Sequence, residues 1–175
     1  MSVTASLNPT HNPKVSIIMN CFNGVEFIKE AIDSVIGQTY QNWELIFWDN
    51  QSTDGSGTVV QEYHESRIRY FSAKKFTSLG KARNLALSKT KGDLIAFLDC
   101  DDLWLPEKLS RQVPLFEKKE IGIVICDTIF FNNSGKQKQL YKKTKPPEGN
   151  VFKDLLDNYF ISLETVVVRS EALKG

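Results

Sequence analysis

Short apolar runs alternate with amphipathic stretches from Val15 to Cys126, and this alternation most narrows the folds open to the chain. Residues 15–19 form a short β-branched run, and read as a strand buried on both faces. Ile28, Ala31, Ile32, Val35 and Ile36 then fall at i, i+3, i+4, i+7 and i+8, the stripe of a helix lying on a sheet. Strands are predicted again over 45–48, 68–71, 94–98 and 121–126. Between them lie a short helix around Val59, Val60 and Tyr63, and a helix over 79–89 that turns Ala82, Leu85 and Ala86 inward. A further helix carries Leu105, Leu109, Val113 and Phe116. Pro106 suits its first turn, and Pro114 should kink or shorten it. Strands and helices alternating over about 110 residues imply an α/β fold, a mostly parallel central sheet flanked by helices. Right-handed crossovers bring the strand C-termini to one edge, where such sheets bind ligands. The loops 20–24, 49–55 and 99–102 should therefore converge.

The bulk properties exclude more than they assign. The 175 residues suffice for one domain, and a net charge of +1 gives no general drive toward nucleic acid. Three cysteines in no zinc spacing, with no signal-peptide pattern, read as reduced and structural, and the expected location is cytoplasmic. No apolar run reaches the ~20 residues that cross a bilayer. Residues 1–13 read as a flexible tail, 132–150 as a mobile Lys-, Asn- and Gly-rich loop, 152–159 as a short helix and 165–168 as a strand. His11 in the tail and His64 in a polar helix do not look catalytic. Nucleophile-elbow, Walker and dinucleotide-binding glycine motifs are missing from the sequence.

The three loops carry the chemistry. "IAFLDCDDLWL" places Asp99, Asp101 and Asp102 within four residues after a buried strand. Carboxylates ~4–6 Å apart repel by about 1 kcal/mol or more near a protein surface. A divalent cation turns that repulsion into attraction, and hard oxygen ligands suit magnesium or manganese. An acidic first helical turn would explain the same residues without a metal. Leu103, Trp104 and Leu105 are expected to anchor this loop from behind. In "FWDNQSTDGS", Asp49 and Asn50 end a strand. Asn50 offers both a donor and an acceptor, as a nucleobase edge requires, while Ser52, Thr53 and Asp54 suit a turn and a helix start. In "MNCFNG", Phe22 can stack on a base, with Asn20 and Asn23 bonding polar edges. In "SLGKARNLALS", Arg83 suits bidentate phosphate contact, whereas Lys81 reads as a surface residue.

Taken in order, "PKVSIIMNCFNG", "IFWDNQSTDGS", "GKARNLAL" and "GDLIAFLDCDDLWLPEKL" resemble the family 2 inverting glycosyltransferases of GT-A (Rossmann-like) fold. The resemblance is strong from Pro13 to about Gln112 and looser beyond. It implies a nucleotide-sugar donor and a glycan or lipid-linked acceptor. Asp99-Cys100-Asp101 looks like the family's D-x-D motif. Asp101 would then be the main ligand of Mn2+ or Mg2+, with Asp99 beside it near the ribose and sugar, and Asp102 near the donor. Phe22 would stack on the base, with Asn20 and Asn23 beside it, and Arg83 would lie near the diphosphate. Asp49-Asn50 stands where the family commonly has two acids. An amide at Asn50 favours a uridine or thymidine diphosphate donor over guanosine. The implied division is a donor half over 14–112 and the start of an acceptor half over 113–175. The family's general base lies in an acidic motif of the acceptor half. Glu164 and Glu171 are the last carboxylates and neither sits in such a motif, so the base is expected outside this chain. Peripheral membrane association through a missing part, and a homodimer, stay open. So do rival readings: a non-catalytic nucleotide- or glycan-binding module, and a receiver-like phosphoacceptor domain. The latter would need an acidic pair where Asn20-Cys21 stands. A nucleotidyltransferase would need a Gly-rich basic loop after the first strand.

Overall fold

The computed structural model describes residues 12–132, 134–135 and 137–173. Up to residue 11 the predicted tail, with His11, lies outside them. In chain order the elements are β1 (Val15–Cys21), α1 (Ile28–Ile36), β2 (Trp43–Asp49), α2 (Ser56–Gln61), β3 (Ile68–Ser72), α3 (Leu79–Leu87) and β4 (Leu94–Phe97). Then come α4 (Lys108–Gln112), β5 (Ile123–Val124), β6 (Ile129–Phe131), β7 (Gln137–Gln139), α5 (Phe152–Asp157) and β8 (Val167–Arg169). The main sheet runs β3-β2-β1-β4-β8-β5, and β6 and β7 form a separate hairpin. Neighbours among β3, β2, β1 and β4 are parallel, whereas β8 is antiparallel to both β4 and β5. This is the expected mostly parallel α/β sheet with helices on both faces.

Strand alternation divides the core. Ile17, Met19, Leu45 and Phe47 pack with Ile28, Ile32 and Val35 of α1 and with Leu109 and Phe116. Ile18, Ile46 and Ile95 pack on the other face with Ala82 and Ala86 of α3 and with Val168. The small alanines let α3 approach the sheet closely. Asn20, in phase with Ile18, is thereby delivered to the α3 side of the sheet edge.

Several expectations are corrected. The fifth strand is confined to Ile123–Val124, because β8 occupies the place beside β4. The stretch 132–150, read as a mobile loop, contains β7, which pairs with β6 from Ile129↔Gln139 to Phe131↔Gln137. The helix read from Pro106 starts at Lys108 and passes at Val113 into a 3-10 turn, Val113–Glu117. Pro114 lacks the N–H that an α-helical ladder needs there. Leu105 is 72% exposed and Leu103 45%, so Trp104, 6% exposed, anchors the acidic loop without them. His64 lies beyond α2, exposed.

Candidate functional site

β1, β2 and β4 end on the same edge, and hydrogen bonds fix the loops after β1 and β2 to one another. Asn50 N–H donates to Cys21 O at 2.8 Å. Asn23 N–H donates to Ser52 Oγ at 3.0 Å, and its Oδ1 accepts from Thr53 N–H at 2.8 Å. Asp54 accepts from Val25 N–H at 2.9 Å and from Ser56 at the start of α2. Asn23 and Gln51 adopt φ of 56° and 75°. Asparagine tolerates this left-handed region better than most residues. The first two loops are therefore one stitched unit, and Ser52, Thr53 and Asp54 do the turn-forming work their types suggest.

A cleft of about 270 Å³ opens beside this unit, lined in part by Asn20, Phe22, Asn50, Phe76, Thr77 and Ala82. Phe22 and Phe76 stand at its mouth, 51% and 59% exposed, with ring centroids 4.8 Å apart and planes 63° apart. Asn20 is 8% exposed, and its Nδ2 is buried without a hydrogen-bond partner among the described residues. A buried unsatisfied donor carries a desolvation penalty of ~1–3 kcal/mol that a bound acceptor relieves. Asn50 is engaged by the protein itself. Its Nδ2 donates to Thr77 O at 2.8 Å, and its Oδ1 accepts from Thr77 N–H at 3.2 Å and Oγ1 at 3.1 Å. Its amide meets a base edge only by releasing Thr77. Asp49 is likewise committed. One oxygen accepts from Ser52 N–H at 2.7 Å, the other from the Tyr70 hydroxyl at 2.7 Å.

On the adjoining loop, residues 99–102 form a turn in which Asp102 N–H donates to Asp99 O at 3.1 Å. Arg83 reaches back from α3 to bond Asp99 at 3.0 Å. This pair is part-exposed, so both groups can exchange toward an incoming ligand. Asp101 is exposed and Asp102 half-buried. Burial first, then the charges of Glu164, Asp101 and Asp99, push the Asp102 carboxyl up to about 6. Behind the loop, Trp104 Nε1 donates to Glu164 O at 3.1 Å. Cys100 meets Cys21. The hydrogen bond between them holds the Cys21 thiol down, to about 7, and pushes Cys100 above the ordinary thiol range.

Among the described residues no group of three or more His, Cys, Asp or Glu side chains forms a metal cage. Two carboxylates in one turn are nonetheless the kind of oxygen donors that magnesium or manganese uses when substrate phosphates complete its shell. Asp101 and Asp99 fit such an ion.

Asn20, Phe22, Asn23, Asp49 and Asn50 thus share one stitched edge, and Arg83 of α3 pairs with Asp99, with Asp101 and Asp102 in the same turn. Sequence reasoning missed three residues. Phe76 and Thr77 sit in a polar loop after β3, where an isolated aromatic among lysines was the available signal. Glu164 is brought to the acidic turn by the return of β8, which no local pattern announces.

The mostly parallel α/β sheet thus carries an aromatic-lined cleft at its strand ends and, on the loop after β4, neighbouring acids paired with an arginine. Residues 16–174 match the family described as Glycosyl transferase family 2. The chain belongs to that family. It is 36% identical over 154 residues to the UDP-Glc:alpha-D-GlcNAc-diphosphoundecaprenol beta-1,3-glucosyltransferase WfgD of Escherichia coli, covering 88% of this chain and 59% of that one. It is 30% identical to the putative teichuronic acid biosynthesis glycosyltransferase TuaG of Bacillus subtilis, covering 91% and 63%. Residues 1–349 of S. aureus TarS in complex with UDP-GlcNAc superpose with a TM-score of 0.77 at 23% identity, covering 92% of this chain and 46% of that one. The chain therefore spans about three fifths of these two curated relatives. The structural likeness supports the GT-A fold.

Proposed function

We propose that this chain is the donor-binding portion of an inverting glycosyltransferase that takes a sugar from a uridine or thymidine diphosphate sugar. Residues 14–112 would hold the donor, and 113–175 would begin the acceptor side. The acceptor would be a glycan or a lipid-linked saccharide, in keeping with the E. coli relative, a glucosyltransferase for GlcNAc-diphosphoundecaprenol. The observation that carries the reading is the Asn20 amide, buried and without a partner, lining a cleft flanked by Phe22 and Phe76. A pyrimidine carbonyl would accept from Asn20 Nδ2 while the ring stacks on Phe22. The uridine preference is further supported by UDP in the names of the glucosyltransferase relative and the TarS complexes.

In this reading Arg83 exchanges Asp99 for the diphosphate and orients it in line with the anomeric carbon. Asp101, with Asp99, would hold Mn2+ or Mg2+, which when bound supplies neutralisation of charge on the departing diphosphate. The acceptor hydroxyl attacks the opposite face of the anomeric carbon as the carbon–oxygen bond to the diphosphate breaks, inverting the centre. Its proton passes to a carboxylate base.

Calorimetric titration of UDP with manganese, then with EDTA, tests the reading. The expected result is binding that manganese strengthens and that Asp101→Ala reduces to the EDTA level. Unchanged affinity in Asp101→Ala would refute the metal assignment. Failure of UDP, dTDP and GDP alike would refute the donor site. Donor binding with no sugar transfer to any lipid-linked acceptor would instead favour a binding module, the second reading that the chain's partial span of its relatives supports.

A further inference from the structure

Cys21 and Cys100 belong to the same edge, yet the donor reading gives their thiols no task. β1 pairs with β4 in parallel from Val15↔Leu94 to Ile18↔Phe97. Leu98 N–H extends the contact to Ile18 O at 3.0 Å. β4 ends at Phe97, and Cys100 lies in the turn three residues beyond it, as Cys21 lies three residues beyond Ile18. Both side chains point to the α1 face: Cys21 lies in the cluster with Met19 and Ile28, and Cys100 packs against it. Gly24 closes over the pair. A Cβ there would stand 2.8 Å from the Cys100 sulfur and 3.0 Å from the Cys21 sulfur. Both sulfurs therefore press on one point of the first loop. All three cysteines are free thiols.

We propose that Cys21 and Cys100 are a reversible disulfide site, formed by exchange with a low-molecular-weight disulfide, that locks the acidic turn to the first loop. Cys100 is half-exposed and Cys21 buried, which fixes the order of events. The Cys100 sulfur bonds to one sulfur of the small disulfide, whose S–S bond breaks. The released thiol carries away the Cys100 proton. The Cys21 sulfur then displaces the second small thiol, which takes the Cys21 proton. Two protein thiols and one small disulfide become one protein disulfide and two small thiols. A sulfur–sulfur bond of ~2.05 Å is far shorter than any thiol–thiol contact. Closing it drags Cys100, and with it Asp99 and Asp101 on either side, toward the Phe22 loop. The reduced form is the donor-competent one, a consequence that rests on the donor reading above.

The test is equilibration of the chain with mixtures of oxidised and reduced glutathione, followed by peptide mapping and UDP titration. The expected result is a Cys21–Cys100 linked peptide, also formed in Cys126→Ser, reversed by dithiothreitol, with UDP affinity weakened at least about tenfold in the linked form. Glutathione adducts alone, or links that involve Cys126, would overturn the site. A linked form that binds UDP as tightly as the reduced one would overturn the locking of the loops. If reduced protein binds no UDP, the donor reading fails, while the mapped peptide still decides the disulfide.

Discussion

At the scale of single residues, the edge separates groups that hold the fold from groups left for a ligand. Asp49 has both oxygens committed to Ser52 and Tyr70, and Asn50 has its amide committed to Thr77. Asn20 and Phe22, in contrast, have a buried donor and an exposed ring with no protein task beyond contact with Phe76. That contact predicts the first outcome. Base–aromatic stacking is worth ~1–3 kcal/mol per base. Phe76→Ala should therefore weaken UDP binding roughly fivefold or more if the ring helps hold the base. Because Phe76 is 59% exposed, the thermal midpoint should stay within a degree or two. A lower midpoint with unchanged affinity would make Phe76 a structural residue.

At the scale of elements, the opposite edge of the sheet is closed by a polar knot. Ser16 Oγ donates to Glu44 at 2.6 Å, Gly92 N–H donates to Ser16 Oγ at 2.8 Å, and Lys91 N–H donates to Glu44 at 2.7 Å. Arg69 pairs with the same buried carboxylate at 3.0 Å. Gly92 is required there by space. A Cβ would stand 2.6 Å from both Lys14 O and Ser16 N, which are backbone atoms and cannot swing away. Gly92→Ala should force β4 from β1 and cost about 2–4 kcal/mol in urea unfolding. An unchanged urea midpoint would show that the loop relaxes freely. The strands β1, β2 and β4 were legible because burial on both faces writes a continuous apolar run. So were the loops after them, since a parallel topology fixes where they go. β8 was legible as a strand at 165–168, though Val167–Arg169 starts two residues later and ends one later, and the pattern was silent about its direction. Its antiparallel insertion between β4 and β5 is a long-range choice, which is why Glu164 was not recognised beside Asp102. β6 and β7 were hidden for another reason. Gln137–Gln139 has no apolar face, and Ile129–Phe131 is exposed throughout, so neither carries a strand pattern.

At the scale of the whole molecule, the C-terminal return is joined to the parallel sheet through a buried amine. Lys108, 9% exposed, lies 4.3 Å from the centre of the Trp104 ring and donates to Gln112 at 2.7 Å. Gln112 in turn donates to Thr165 O at 2.9 Å, just before β8. One contact set thus ties α4, the acidic loop and the returning strand together. Burial holds the Lys108 amine down, to about 8, against the opposing pull of Cys126 and Glu164. The sign follows from linkage. Between about 8 and the ordinary lysine value near 10.4, the unfolded chain binds more protons than the folded one, so stability rises with pH across that window. Below it both states are charged and the full burial cost is present. Lys108→Met removes the titrating group and keeps an apolar stem against Trp104. Its urea-unfolding free energy should exceed that of the parent by on the order of 1–3 kcal/mol at pH 7. That difference should shrink as pH rises from about 8 toward 10, since other titrations are common to both proteins. A difference independent of pH would mean that Lys108 titrates as an exposed lysine does. The return segment would then be held by the β8 ladder, Gln112 and the packing of Val167 and Val168, without a charge burial at Lys108.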